Sequence, residues 1–211
     1  MCRLLYVRAE QEFEIAEQLN KFAQISKNSK EYQGHGWGCA YLQQDKWQIY
    51  KNIKPVWEDD FSGLGKTNVL AAHARSAFQD KDIRIENNMP FTSGDVIYIF
   101  NGELHGVKIR EEGRIGAEKI FNFILRFKDH GLSDALEKGC SIIEKRSKYI
   151  RAMNIIMADP KQAYLYSLFN EDHDYFTMYS KMDNNTIILC SDPYPDENNW
   201  QKINNRTIKV Y

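Results

Sequence analysis

The chain has 211 residues, of which 28 are Lys or Arg and 29 are Asp or Glu, and its formal net charge is −1. This length is typical of one domain or at most two small ones. A composition with 43% hydrophobic and 13% aromatic residues supplies a hydrophobic core, which excludes a mainly disordered chain. The charge balance excludes the broad basic surface of a non-specific nucleic-acid binder. We therefore expect a soluble globular protein.

Apolar residues recur with the spacing of strands and helices along the whole chain. In chain order, the pattern predicts a strand at 3–8, a helix at 13–26, strands at 36–42, 47–50, 69–74 and 96–100, helices at 117–127 and 132–145, and strands at 153–157, 163–169, 176–180 and 186–190. This order lacks the regular strand–helix alternation of a doubly wound parallel sheet. It predicts one α+β domain over residues 1–211, with antiparallel sheets and helices on their outer faces.

Membrane, secretion and metal signals are absent from the sequence. No apolar run approaches the ~20 residues of a membrane-spanning helix, and the apolar stretch near the N-terminus lacks the length of a signal peptide. We therefore expect a cytoplasmic protein. The four cysteines, at 2, 39, 140 and 190, have no CxxC spacing and predict neither a zinc site nor a disulfide framework. We expect no metal and no cofactor.

Two glycine-rich segments could be mistaken for phosphate-binding loops. In the segment 63–67, Gly-Leu-Gly-Lys-Thr, the Walker pattern requires an earlier glycine where Asp60 stands, and it requires a helix where a strand is predicted. The segment 34–38, Gly-His-Gly-Trp-Gly, is not followed by a helix either. We interpret the first as a surface turn, and the second as glycines that permit close backbone approach in a strand.

Cys2 differs from the other cysteines, because removal of Met1 would place a thiol and a free α-amine on one residue. The reference pKa is about 7.7–8.0 for an α-amine and about 8.5 for a thiol. A largely neutral amine can accept the thiol proton, directly or through a water molecule, so such a residue carries its own general base. A Met-Cys start is common in proteins, so the rest of the sequence decides its meaning.

Five short blocks along the chain give Cys2 a context. They are Met1-Cys2-Arg3-Leu4-Leu5, Gly36-Trp37-Gly38, His73-Ala74-Arg75, Asn87-Asn88-Met89-Pro90-Phe91 and Phe100-Asn101-Gly102-Glu103-Leu104. Together with Cys190-Ser191-Asp192-Pro193 and Trp200-Gln201-Lys202-Ile203, they span nearly the whole chain. In this order they resemble the class II glutamine amidotransferases, and most closely the stand-alone members without a synthase domain. The resemblance implies a four-layer αββα sandwich of the N-terminal nucleophile hydrolase type.

The resemblance also implies a reaction. Cys2 would attack the side-chain amide of glutamine or a γ-glutamyl compound, form a thioester and release ammonia, either to water or to a partner protein that uses it. The Asn101 side-chain amide and the Gly102 backbone N–H would stabilise the oxyanion. The residues themselves permit an alternative, since Asn-Gly is also a common hairpin turn.

Arg75 matches the family residue that holds the α-carboxylate of glutamine, and a guanidinium offers a carboxylate a bidentate partner. The alternative for Arg75 is a surface ion pair. Trp37 and Phe91 would either wall the pocket or serve as ordinary core aromatics.

One position departs from the family pattern. In the family, a Thr-Asp-Ser-Glu segment opens the helix after the Asn-Gly strand, and its aspartate binds the α-ammonium of glutamine. The corresponding segment here is 115–118, Ile-Gly-Ala-Glu, with Gly116 at the aspartate position. Three interpretations remain. Another acid, such as Glu111, Glu112 or Glu118, reaches the ammonium; or the substrate is an amide whose amine is blocked or absent; or the chain is a non-catalytic binding or regulatory relative.

Overall fold

The computed structural model describes all residues, 1–211, and places the strands in two antiparallel sheets with helices on their outer faces. The elements in chain order are β1 (Arg3–Glu14), α1 (Ile15–Lys27), β2 (Trp37–Gln43), β3 (Lys46–Asn52), β4 (Lys66–Ala74), β5 (Phe91–Ser93), β6 (Val96–His105), α2 (Gly116–Leu125), α3 (Leu132–Arg146), β7 (Tyr149–Ala158), β8 (Ala163–Phe169), α4 (His173–Phe176), β9 (Tyr179–Asp183), β10 (Thr186–Cys190), β11 (Gln201–Lys202) and β12 (Thr207–Val210).

The two sheets differ in size and face each other. The first has seven strands in the order β11-β9-β10-β1-β4-β2-β3, and the second has five in the order β12-β8-β7-β6-β5. Apolar residues of α1 pack with β1, β2 and β4 on one side of the large sheet. A second cluster joins the other side of that sheet to β6, β7, α2 and α3. The layers are therefore α, β, β and α, and the predicted α+β sandwich is confirmed.

Strand β1 lies in the middle of the larger sheet and is buried on both faces. Leu4 and Tyr6 pack into the core between the sheets, whereas Leu5 and Val7 pack beneath α1. Successive side chains of a strand point to opposite faces, so a strand covered on both sides shows only weak alternation of polar and apolar residues. This burial accounts for the nearly continuous apolar run of the N-terminal segment.

Several predicted bounds change in the structure. β8 and β10 have the predicted limits, but β1 continues to Glu14, because its far end pairs with the start of β4 beyond an irregularity between Arg8 and Phe13. β9 begins at Tyr179 rather than at residue 176, since the short helix α4 occupies the preceding residues. None of the helices combines the length and the apolar character that crossing a membrane requires.

The segment 63–67 behaves as predicted, whereas in the segment 34–38 only Gly38 lies in a strand as predicted and Gly34 and Gly36 precede it. Lys66 opens strand β4 rather than a helix, so the segment 63–67 lacks the architecture of a phosphate-binding loop. Gly38 lies in β2, where an added Cβ would stand 2.6 Å from the carbonyl oxygen of Met89. Only a glycine lets these two backbones approach so closely.

Candidate active site

A cavity of about 710 Å³ opens at one end of the two sheets. It brings together Cys2 before β1, Arg75 after β4, Gly102 within β6 and Gly116 at the start of α2. The antiparallel register explains the first pair: Arg3 lies opposite Ala74, so the start of β1 meets the end of β4. Residues 73 positions apart in sequence thus become neighbours through one strand pairing.

Cys2 is about 9% exposed and lines this cavity. The Ser76 N–H lies 3.5 Å from its Sγ, and the Ser76 carbonyl oxygen lies 3.7 Å from it. Burial raises the pKa of the Cys2 thiol, while the Met1 α-ammonium, the Ser76 backbone and Arg75 oppose that shift. With Met1 attached, Cys2 is therefore a weakly ionised thiol.

Three side chains hold the Met1 peptide unit beside the cavity. Its α-ammonium pairs with Glu31. Its carbonyl oxygen accepts hydrogen bonds from Gln33 Nε2 at 2.5 Å and from the Tyr175 hydroxyl at 2.6 Å. Removal of Met1 would leave the α-amine of Cys2 close to the same polar side chains.

Arg75 is about 5% exposed, and its Nη1 makes no hydrogen bond. It forms no ion pair with any acid, so the alternative of a surface ion pair is wrong. Burial lowers the pKa of Arg75, and the nearby Cys2 and Asp82 oppose this shift. A buried guanidinium with an unsatisfied donor is unfavourable unless an anion completes it. The cavity therefore offers a place for a carboxylate.

Asn101 and Gly102 lie inside β6 rather than at its end. Asn101 pairs with Asn154 and Gly102 with Met153, and the register shifts only between Glu103 and Leu104. The prediction that the strand ends at residue 100 is therefore wrong, and so is the alternative of a hairpin turn. The pairing partner is β7, about fifty residues further along the chain, which no local pattern reveals.

The Asn101 carboxamide is fully buried, and neither its Nδ2 nor its Oδ1 has a hydrogen-bond partner. Asn101 does not line the cavity itself but precedes Gly102, which does. At Gly102 an added Cβ would lie 2.3 Å from the Ala152 carbonyl oxygen and 2.7 Å from Phe100 Cζ. The site thus has an unsatisfied amide beside a backbone position where only glycine fits.

The three acids suggested by the sequence as substitutes for the missing aspartate lie elsewhere. Glu118 accepts hydrogen bonds from Arg114, whose Nε lies 3.0 Å from Glu118 Oε2. Glu111 lies 3.8 Å from Arg126, and neither it, nor Glu112, nor Glu118 lines the cavity.

The carboxylates that do line the cavity are Glu31, Asp82 and Glu103. Arg151 binds Glu31 and Glu103, each at 3.2 Å, and it also pairs with Asp172. No sequence pattern predicts this group as a whole. Only Glu103 carried a signal, its position inside the Asn-Gly block, because Glu31 and Arg151 are 120 residues apart.

Three further residues of the predicted blocks, Trp37, Phe91 and His73, are buried away from the cavity. Trp37 is fully buried, and its Nε1 donates to Asp59 at 2.9 Å. Phe91 packs into the core between the sheets. Neither lines the cavity, so both are core aromatics. His73 is fully buried. Burial and Arg75 lower its pKa to about 3, although the Phe100 backbone opposes this shift, so its ring is neutral.

Comparisons with known proteins give matches in structure only. No family model and no curated protein sequence matches the chain. Among solved structures, a glutamine aminotransferase class-II domain protein from Silicibacter pomeroyi superposes with a TM-score of 0.68 at 14% identity, over 99% of this chain and 94% of that one. A predicted glutamine amidotransferase from Pseudomonas aeruginosa PA01 gives a TM-score of 0.60 at 14% identity, over 100% and 97% of the two chains.

A larger enzyme shares the same architecture in part of its length. The glutamine phosphoribosylpyrophosphate amidotransferase from B. subtilis, complexed with ADP and GMP, has a TM-score of 0.65 at 15% identity. The match covers 90% of this chain but only 42% of that enzyme. The chain therefore has the fold of these glutamine amidotransferase structures.

Proposed function

We propose that the chain is an amidohydrolase of the class II glutamine amidotransferase type, with Cys2 as its N-terminal nucleophile after removal of Met1. Its substrate is glutamine or a γ-glutamyl compound. The observation that carries the proposal is the convergence of Cys2, Arg75 and Gly102 on one cavity, next to the unsatisfied carboxamide of Asn101. The shared fold supports the reaction type, and the site residues support the roles below.

The reaction begins when the α-amine of Cys2 accepts the thiol proton and the sulfur attacks the amide carbon. The Asn101 Nδ2–H and the Gly102 N–H stabilise the negative charge that develops on the carbonyl oxygen. Each such donor typically lowers the barrier by ~2.7–4 kcal/mol. The C–N bond then breaks, and ammonia leaves with the proton that the amine held. Water hydrolyses the thioester, which yields a carboxylate and restores the thiol.

Met1 removal is the activating step in this proposal. With Met1 attached, the nitrogen of Cys2 is an amide and cannot accept a proton, and burial raises the pKa of the thiol. A free α-amine has a reference pKa of about 7.7–8.0, so a substantial fraction is neutral near physiological pH. Removal of Met1 therefore supplies a general base, the α-amine of Cys2, next to the Cys2 sulfur.

The proposal is tested by intact-mass spectrometry and by ammonia release. We expect purified protein that has lost Met1 to take up one equivalent of a diazo-ketone glutamine analogue, mapped to Cys2, and to release ammonia from an amide substrate. Processed protein with neither an adduct nor ammonia release contradicts the proposal. It would favour a binding or regulatory relative, the second candidate, which Gly116 at the usual ammonium-binding position supports.

Arg75 provides a second prediction. Replacing it with alanine removes a charge-assisted contact to the substrate carboxylate, so KM for glutamine-like substrates should rise about 10- to 100-fold with a smaller change in kcat. The KM of Arg75→Lys should lie between the KM of the wild type and that of Arg75→Ala, because lysine keeps the charge but loses the bidentate geometry. Steady-state kinetics measure both variants. Butyramide, which has no carboxylate, is the control: an equal loss with butyramide would contradict the role of Arg75.

A further inference from the structure

The charged side chains that line the cavity are mainly cationic. Its cations are Arg75, Lys81, Arg114, Lys119 and Arg151, and its carboxylates are Glu31, Asp82 and Glu103. A substrate with a free ammonium needs an available carboxylate, whereas a substrate with a second anionic or a neutral group does not. The state of each carboxylate therefore indicates which substrate the cavity fits.

Two of the three carboxylates already have cationic partners. Arg151 binds both Glu31 and Glu103, and His105 Nε2 lies 2.7 Å from Glu103 Oε1. Glu31 binds Arg151 through Oε1 and the Met1 α-ammonium through Oε2, so a substrate ammonium at Glu31 would compete with the α-amine of Cys2 once Met1 is removed. At Glu103 it would compete with Arg151. Asp82 alone has no ion-pair partner; it is exposed, and it lies close enough to Arg75 to influence the pKa of that guanidinium.

The start of α2 presents cations and open space to the cavity. Arg114 and Lys119 both line it on either side of Gly116. Lys119 forms no ion pair, and Arg114 is bound by Glu118. An added Cβ at Gly116 would have no atom within 4 Å. This part of the cavity therefore has room for a substituent and offers an ammonium no free acid.

We propose that the substrate is the terminal amide of a dicarboxylic acid that carries no free α-ammonium. This inference rests on the proposed function and revises its substrate: the same reaction acts on glutamine-like amides whose α-amine is acylated or absent, rather than on glutamine itself. The overall reaction is R–CO–NH₂ plus water giving R–COO⁻ and NH₄⁺, with the acyl group held on Cys2 between the two steps. Arg75 binds the distal carboxylate, and the space beside Gly116 accepts an acyl group on the α-nitrogen. The 710 Å³ cavity is within the ~300–1,000 Å³ that suits ligands larger than one amino acid.

The test compares three amides with the processed protein at one pH and one ionic strength. The probes are glutamine, N-acetylglutamine and glutaramate, the last of which has no nitrogen on its α-carbon. We expect kcat/KM for ammonia release to be at least about tenfold higher with N-acetylglutamine or glutaramate than with glutamine, because an ammonium would meet like charges in the cavity. A smaller preference for both analogues overturns the inference.

Failure of this inference can be distinguished from failure of the proposed function. Ammonia release that favours glutamine, with an adduct at Cys2, overturns only the substrate class. If none of the three amides releases ammonia, the substrate class is overturned as well. If, in addition, no adduct forms at Cys2, the proposed function is overturned too.

Two substitutions locate the cause of the preference. Gly116→Asp adds a carboxylate where space is open, and Gly116→Asn adds the same volume without the charge. We expect the aspartate variant to raise the ratio of glutamine to N-acetylglutamine turnover at least about tenfold over the asparagine variant. Equal ratios overturn the inference. Asp82→Asn examines the rival acid: a selective loss of glutamine turnover in this variant would assign the ammonium to Asp82 and overturn the inference as well.

Discussion

Replacing Cys2 with serine is expected to lower amide hydrolysis by on the order of 10³-fold or more, with little change in the thermal unfolding temperature. Loss of the nucleophile alone has an effect of this size or larger in hydrolases that act through a covalent intermediate. The substitution is nearly isosteric, and the thiol makes only long contacts to the Ser76 backbone, so the fold should tolerate it. Ammonia release and a thermal melt measure the two effects. Normal hydrolysis by Cys2→Ser would contradict the mechanism.

The chain contains its own controls for this experiment. Cys39, Cys140 and Cys190 are fully buried. Burial raises the pKa of each of these thiols, to about 12 for Cys190. Because the thiolate is the reactive form, an electrophilic substrate analogue should modify Cys2 alone. A preparation that retains Met1 is a second control, since it keeps the thiol but lacks the free amine.

Asn101→Ala is expected to lower kcat about 10²- to 10³-fold with little change in KM, since an oxyanion donor acts mainly in the transition state. Its effect on stability separates this role from a structural one. Both amide atoms of Asn101 are buried without a partner, so their removal breaks no hydrogen bond. We therefore expect the free energy of unfolding to stay the same or to rise. A loss of stability with kcat unchanged would contradict the assignment.

Asn154 provides the matched control, because it lies directly opposite Asn101 in the neighbouring strand. Its Nδ2 donates to the Phe176 carbonyl oxygen at 2.7 Å, and its Oδ1 accepts from the Ser167 hydroxyl at 2.8 Å. Asn154→Ala breaks these buried hydrogen bonds and leaves their partners unsatisfied. It should lower the free energy of unfolding by roughly 1–3 kcal/mol. Asn101→Ala should thus lower kcat without a loss of stability, whereas Asn154→Ala, at the paired position, should lower stability.

The sequence predicts those strands whose limits are marked by local patterns of apolar and turn residues. Strands β8 and β10 have apolar runs bounded by turn residues, and their limits agree with the structure. The sequence pattern ends this strand at residue 100, before Asn101-Gly102, which is a common turn pair, whereas β6 continues to His105. The ladder with β7 overrides this preference, and such long-range pairing is not visible in a window of a few residues.

At the candidate site, too, local sequence blocks reveal some residues, whereas contacts between distant segments are visible only in the structure. The short blocks identified Cys2, Arg75 and Gly102, and the structure places these three at one cavity. They could not identify the charges around the substrate, because Arg151 reaches Glu31 and Glu103 only when three distant segments fold together. The sequence therefore supported a type of chemistry, whereas the electrostatic character of the cavity required the three-dimensional arrangement.

The position of Cys2 has a consequence for the durability of the site. Chain termini usually fray and exchange with solvent, yet the residue after Cys2 begins the fourth of seven strands, which has a hydrogen-bonded neighbour on each side. The strand that follows Cys2 is fixed by the pairing of Arg3 with Ala74 in β4 and of Leu5 with Cys190 in β10. Cys2 is therefore attached to a central strand with a partner on each side, and its position should persist until the sheet itself melts.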